Sequence, residues 1–453
     1  MKIVNLVGRE VLDTNGWPTI ACDVTLDDGT IISSVAPTNF PRGPHEAAEL
    51  RDGGIRLLGL GVQKSIDIIR DKIFPIVMGC APDGVHTDLK LIELDGTNNK
   101  ANFGANTVLA VSQAIFRAQA VAENMQLFEL IALVCDHAQV TLPIPMITLI
   151  ENNSQVLNSQ ITGANSQTTT LNKNNTQAAA LFREYLAIPY GAKSARIAIE
   201  RSVMLAHKLK EILIKNYNLN LANTNSSNNT NLKFPEFNFG PEGGLQANFE
   251  SLTAPLDYIM LALKQFSLAD DPLFALGLDA NASSFYDRST NLYQLNGQSY
   301  PNDKLIELYA QICQNYPIYA IEDGMSISDA AGWQLLNVAL GQQIHIASDE
   351  LLATNPERIA YAAEQQMVGA VVLKPAQIGT VTEAIQAIKL CQEQNLMTIV
   401  AHYGSDTMDT FMVDLGVGTN ATHLKMGGLH GGNQIAKYNR LLEIEDFLIN
   451  LQL

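Results

Sequence analysis

The sequence predicts an α/β protein in which a TIM-like β/α barrel over residues 141–453 is preceded by an α+β domain over residues 1–140. Three observations carry this expectation. Short apolar runs in the second half recur at about the length of one strand, loop and helix, the repeat of a parallel barrel. The opening residues instead alternate apolar and polar side chains around a tight turn. Between the two, helical periodicity dominates, clearest in ANTVLAVSQAIFRAQAVAEN.

Taken in order, TIACDVTL, the turn Asp27 to Gly29 and TIISSVAP predict an antiparallel hairpin within a meander. The Pro- and Gly-rich PTNFPRGPHEA then gives way to helices. The barrel begins at LPIPMITLI, near Leu142. LFALGLD brings in Asp279, YPIYAIED Glu322, IHIASD Asp349, GAVVLK Lys374, MTIVAH His402 and ATHLK Lys425. C-terminal strand ends of a parallel barrel converge on one face, so these acids, lysines and histidine are expected to share a pocket. Pro375 disfavours helix at Lys374 and keeps it at a strand end. Two stretches rich in Asn, Gln, Ser and Thr, 151–177 and 218–231, read as surface loops, because they bury too little apolar area to offset ordering.

Composition narrows the function. A net charge of -17 argues against nucleic acid and anionic membrane as partners, and no run reaches the ~18 apolar residues of a membrane span. The five cysteines, Cys22, Cys80, Cys135, Cys313 and Cys391, are scattered and read as buried free thiols. The N-terminus turns charged before any apolar core of signal-peptide length, which places the protein in the cytoplasm.

The chain also resembles enolase, from about Ile3 to Phe447. The motifs are REVLDTNGWPT (9–19), HEAAELRDGG (45–54), ELDGTNNKANFGAN (93–106), REYLAIPYGA (183–192), GPEGG (240–244), AIEDG (320–324), LKPAQIGT (373–380) and AKYNR (436–440). The resemblance implies Mg²⁺ held by Asp279, Glu322 and Asp349. It implies Lys374 as the base that removes the proton next to a carboxylate, and Lys425 as a group holding the developing charge. Glu242 corresponds to the acid that assists hydroxyl departure, Glu184 to its partner, and His402 to a further catalytic and substrate-binding position. A small-molecule carboxylate substrate and a homodimer or larger homo-oligomer follow from the same likeness. Physical reasoning agrees on the metal: three carboxylates sharing a pocket repel unless a divalent cation neutralises them, and an oxygen-only set favours Mg²⁺.

The departures from enolase are concentrated. Where enolase carries SGAST this chain has Thr38, Asn39, Phe40, Pro41 and Arg42, so a serine that joins a second metal is replaced by Pro41, which stiffens the loop. His-Arg-Ser becomes His402, Tyr403 and Gly404, which removes the expected phosphate grip. No histidine occurs in 151–177, and LKMGG ends at Gly428 in place of a serine. Arg42 and Arg183 are candidates to rebuild the grip, since a guanidinium fork suits a phosphate or phosphonate; both equally suit surface or packing roles. The expectation is an enolase-like lyase acting on 2-phosphoglycerate or a phospho, phosphono or plain hydroxy-acid analogue, with weak activity on 2-phosphoglycerate. The alternative is an inactive paralogue that works by binding.

Overall fold

A computed structural model of the chain describes residues 1–38, 42–152, 182–224, 238–266 and 274–451. It divides into two compact units, one of Met1–Pro143, Ala347–Met426 and Gly432–Leu453, the other of Ile144–Ile346 and Gly427–Gly431.

The first unit opens with an antiparallel meander, β1 (Ile3–Leu12), β2 (Pro18–Leu26) and β3 (Ile31–Val35), in that order across the sheet. The predicted turn lies between β2 and β3, and Gly29 supplies its positive φ of +91°. The inner positions of β2 pack against the helix Ala105–Ala122, which is buried along nearly its whole length.

The second unit holds, among shorter strands, β4 (Ile144–Glu151), β5 (Glu184–Ile188), β6 (Ala275–Asp279) and β7 (Ile318–Glu322). β5 is antiparallel to both β4 and β6, whereas β6 and β7 are parallel. β5 and β6 are buried at every residue, as expected of strands covered on both faces.

The first unit resumes with parallel strands: β8 (His345–Ser348, whose last two residues belong here), β9 (Ala370–Leu373), β10 (Met397–Ala401) and β11 (His423–Lys425). Helices follow these strands at the predicted spacing, among them Pro356–Glu364, Val381–Glu393 and Phe411–Gly418.

Three local readings need correction. Glu151, assigned to a polar surface loop, is the last residue of β4 and is buried, because strand pairing with β5 carries it inside; 153–177 lie outside the described residues. The second polar stretch begins inside the helix Ala195–Thr224, where an established helix extends through Asn-rich sequence; 225–231 lie outside the described residues. Among the cysteines, Cys22, Cys135 and Cys391 are buried, but Cys80, in the bend after the helix Phe74–Val77, is exposed, and Cys313, in the helix Asn302–Asn315, is half-buried.

Candidate active site

Four carboxylates form a row across the second unit. Glu151 closes β4, Glu184 opens β5, Asp279 closes β6 and Glu322 closes β7. Glu184 is the register partner of both Glu151 and Asp279, and Asp279 is the partner of Glu322. The reversed direction of β5 brings its first residue, rather than its last, to this level. All four are at most 3% exposed. Like charges placed opposite one another in a sheet destabilise it, and burial sharpens the penalty, so the row calls for cations or protons.

Arg183 supplies one cation. Its Nη2 donates to Glu242 Oε1 at 2.9 Å, and its Nε lies 3.9 Å from Glu184 Oε1. Thr148 Oγ1 donates to Glu184 Oε2 at 2.5 Å. The turn Gly240–Gly244 wraps the Glu151 carboxyl, with the backbone N–H groups of Glu242 and Gly244 donating to Glu151 Oε2 at 3.1 and 3.3 Å. Burial, then the charges of Glu242 and Glu184, push the Glu151 carboxyl up to about 8. Gly428 comes close to the same turn: its N–H donates to Glu242 O at 2.6 Å, and a Cβ there would stand 2.1 Å from Gly243 O. Glycine at 428 is therefore a steric requirement of this turn.

The first unit builds a second cluster. Lys374 follows β9 in an extended conformation (φ -130°, ψ 111°), held out of the helical region by Pro375. Its Nζ donates to Asp349 Oδ2 at 2.6 Å, while Gln377 Nε2 donates to Asp349 Oδ1 at 2.8 Å and to Glu46 Oε1 at 3.3 Å. Tyr403 Oη lies 2.6 Å from both Glu46 oxygens, and Lys374 Nζ sits 5.1 Å from the centre of the Tyr403 ring. Burial raises the Glu46 carboxyl despite the hydrogen bond from Tyr403. Burial, and then Glu46, push the Tyr403 hydroxyl well above its ordinary value.

His402 and Lys425 meet through the backbone, His402 N–H donating to Lys425 O at 3.0 Å, and both side chains are buried. His402 Nδ1 lies 3.7 Å from Asp406 Oδ2, which also receives Lys437 Nζ at 2.8 Å. Burial alone raises Asp406, but Lys437 and His402 together hold it below the usual carboxylate range. A cavity between these groups is lined by Lys374, Ala401, His402, Tyr403, Asp406 and Lys437. Arg42 is exposed, and Asn39, Phe40 and Pro41 lie outside the described residues.

The donors suit a hard cation. Asp279 and Glu322 are buried register partners offering only oxygen, with neither thiolate nor imidazole in the row, which is the chemistry of Mg²⁺ rather than Zn²⁺.

The model for the enolase N-terminal domain matches residues 3–131, and that for the enolase C-terminal TIM barrel domain matches residues 171–451. The chain belongs to the enolase family. β4 to β11 are accordingly the eight strands of a TIM barrel and the meander with its helices is the α+β domain ahead of it, the fold class that the repeat of apolar runs predicted. Of the residues singled out in the sequence, Glu184, Arg183 and Glu242 come together in one unit, which also carries Asp279 and Glu322 at the ends of β6 and β7. Lys374, Asp349, His402 and Lys425 stand at consecutive strand ends of the other. Sequence reasoning missed Glu151, hidden at the edge of a polar run, and Asp323, a buried carboxylate beside Glu322 whose positive φ of +46° marks an unusual backbone. It also missed Glu46, whose only signal was its place inside HEAAELRDGG.

Proposed function

We propose that this enolase-family chain is a Mg²⁺-dependent hydro-lyase that removes the proton next to a substrate carboxylate and expels the β-hydroxyl as water. The observation that carries the reading is the row of buried, register-matched carboxylates that runs through Glu184 on β5 to Asp279 and Glu322 on β6 and β7, and that needs a cation. Asp279 and Glu322, with Asp349 as the third ligand, hold the metal. Bound there, Mg²⁺ supplies positive charge for the substrate carboxylate as it gains a second negative charge.

Lys374 takes the α-proton, and the C–H electron pair becomes that of an enolate. The charge of Asp349 orients the ammonium, while Lys425 and His402 stabilise the growing negative charge. The enolate electrons then form the double bond, the β C–O bond breaks, and the departing hydroxyl is protonated beside Glu242 and Glu184. The substrate is 2-phosphoglycerate or a phospho, phosphono or plain hydroxy-acid analogue. Arg42 and Arg183 are the side chains available to a phosphate, although Arg183 is already engaged with Glu242. A cytoplasmic homodimer or larger homo-oligomer belongs to the same reading and rests on the family likeness.

Direct conversion of 2-phosphoglycerate with Mg²⁺, beside a panel of 3-hydroxy acids and with α-proton exchange followed in heavy water, tests the proposal. Absence of both turnover and exchange throughout the panel would favour a second reading, an inactive paralogue that binds a partner. Tyr403 is the observation on its side. At the position where the resemblance puts a phosphate-gripping arginine, it turns its hydroxyl to Glu46.

A further inference from the structure

We propose that Gln377 is a positioning residue of this site: its side-chain amide, aimed by the Thr354 hydroxyl, fixes the Asp349 carboxylate for Mg²⁺ and for Lys374. The inference rests on the hydro-lyase reading and adds to it a residue that acts through Asp349.

Glu46, Asp349, Thr354, Lys374 and Gln377 all belong to the first unit. Gln377 is 1% exposed and Thr354 is fully buried. Their hydrogen bonds run in one direction. The backbone N–H of Lys374 donates to Thr354 Oγ1 at 2.8 Å, and because an N–H can only donate, the hydroxyl accepts there and gives its own hydrogen elsewhere. That hydrogen goes to Gln377 Oε1 at 2.6 Å. The carbonyl end of the amide is thereby assigned, and its NH₂ group faces the other way. There its two hydrogens meet two carboxylates, Asp349 Oδ1 at 2.8 Å and Glu46 Oε1 at 3.3 Å. A reversed amide would turn its oxygen toward both acids, so the two ends specify the same orientation. Lys374 Nζ holds the other oxygen of Asp349, Oδ2, at 2.6 Å. With one oxygen tied to an amide and the other to an ammonium, the plane of the Asp349 carboxylate is set. A neutral donor suits this task. It holds the oxygen without neutralising it, whereas a lysine or arginine at 377 would pair with the charge that a metal needs.

The backbone is strained where the amide is aimed. Ala353 and Thr354 both have positive φ, +46° and +54°, although neither is glycine. For a β-branched residue this conformation is rare and persists only where the surroundings impose it. What it achieves at 354 is the placement of one hydroxyl between Lys374 N and Gln377 Oε1. Glycine would adopt that φ freely but brings no hydroxyl. The backbone of Gln377 is pinned as well, its N–H donating to Lys374 O at 2.9 Å and its carbonyl accepting from Ala47 N–H at 2.8 Å. The turn that carries Lys374 therefore also sets the carboxylate that Lys374 meets.

Thr354→Val isolates the hydroxyl, because valine has the shape of threonine and the same difficulty at positive φ. Gln377→Met keeps the length of the side chain and removes both donors. Each should weaken Mg²⁺ binding, measured by titration calorimetry, by about tenfold or more, and should lower α-proton exchange at saturating Mg²⁺ to a similar degree, in the range that supporting groups around a metal contribute. Thr354→Ser, which keeps the hydroxyl and eases the backbone, should recover most of what Thr354→Val loses. A role confined to holding the fold predicts otherwise: the melting temperature of the metal-free protein would fall in both variants, while the folded protein bound Mg²⁺ as wild type does. Wild-type Mg²⁺ affinity in either folded variant would overturn the assignment, as would an equal loss in Thr354→Ser and Thr354→Val. If wild type binds Mg²⁺ but exchanges no proton of any hydroxy acid tested, the hydro-lyase reading fails and the calorimetry still decides the role of Gln377. If wild type binds no Mg²⁺, both fall.

Discussion

Asp279 and Glu322 stand directly opposite one another at the ends of two parallel strands, both buried, with Glu184 on the far side of Asp279. Three acids side by side in a sheet form an arrangement whose stability depends on what neutralises it. Removing one charge should therefore have opposite effects with and without metal. Asp279→Asn should raise the stability of the metal-free protein by up to ~1 kcal/mol, through relief of like-charge pairing. The same change should weaken Mg²⁺ binding and shrink the stabilisation that added Mg²⁺ gives. Titration calorimetry and thermal melts with and without Mg²⁺ measure both, and unchanged Mg²⁺ affinity would remove Asp279 from the ligand set.

Lys374 is held at a strand end by Pro375 and directed by Asp349, so its loss should stop proton removal without unfolding the strand. Lys374→Ala should lower α-proton exchange by about 100-fold or more, with Mg²⁺ binding retained. Exchange at the wild-type rate would reject its role as base.

Activity on 2-phosphoglycerate should be weak, because the side chain at 403 gives its hydrogen bond to Glu46 instead of to a phosphate. A charge-assisted hydrogen bond is worth roughly 1.5 to 3 kcal/mol, or about ten- to a hundredfold. The specificity constant should fall below ~10⁴ M⁻¹s⁻¹, and Tyr403→Arg should raise it. A wild-type value at or above that level would make this an ordinary glycolytic enolase.

The barrel was legible because its strands are short, apolar and bounded by the acids and lysines they deliver, so one pattern reported both fold and chemistry. Glu151 was not legible: its neighbours Asn152 and Asn153 look like loop, and only the pairing of β4 with β5 shows it to be interior. Gly428 shows the converse. In the sequence it read as the loss of a serine, yet its meaning is the approach of Gly243 O, a contact between distant residues that no local pattern records. The pairing of Tyr403 with Glu46 is long-range in the same way.

Asp88 gives a prediction independent of catalysis. It is fully buried in the helix Gly84–Asp95 and accepts from Thr382 N and Oγ1 at 2.9 and 2.7 Å. Burial outweighs these bonds and pushes it up to about 7, above its ordinary 3.8. The folded state therefore holds a proton that the unfolded chain releases, so this contribution to stability is complete below the ordinary value and is lost as pH rises through about 7. Asp88→Asn should remove the dependence and gain on wild type between pH 5 and pH 8, at a rate on the order of 1 kcal/mol per pH unit inside the window. Urea denaturation at the two pH values decides it; a gain toward acid pH would be the wrong sign.

The contact between Gly240 and the Glu151 carboxyl also bears on how such chains diverge. A side chain at 240 requires the Glu151 carboxyl to move, since its first carbon would stand 2.2 Å from the carboxyl carbon. The two positions are thus coupled: a shorter residue at 151 opens the way for alanine or serine at 240. Gly240→Ala should be harmful alone and tolerated beside Glu151→Ala, a dependence that would surface among relatives as correlated drift between two places far apart in the chain.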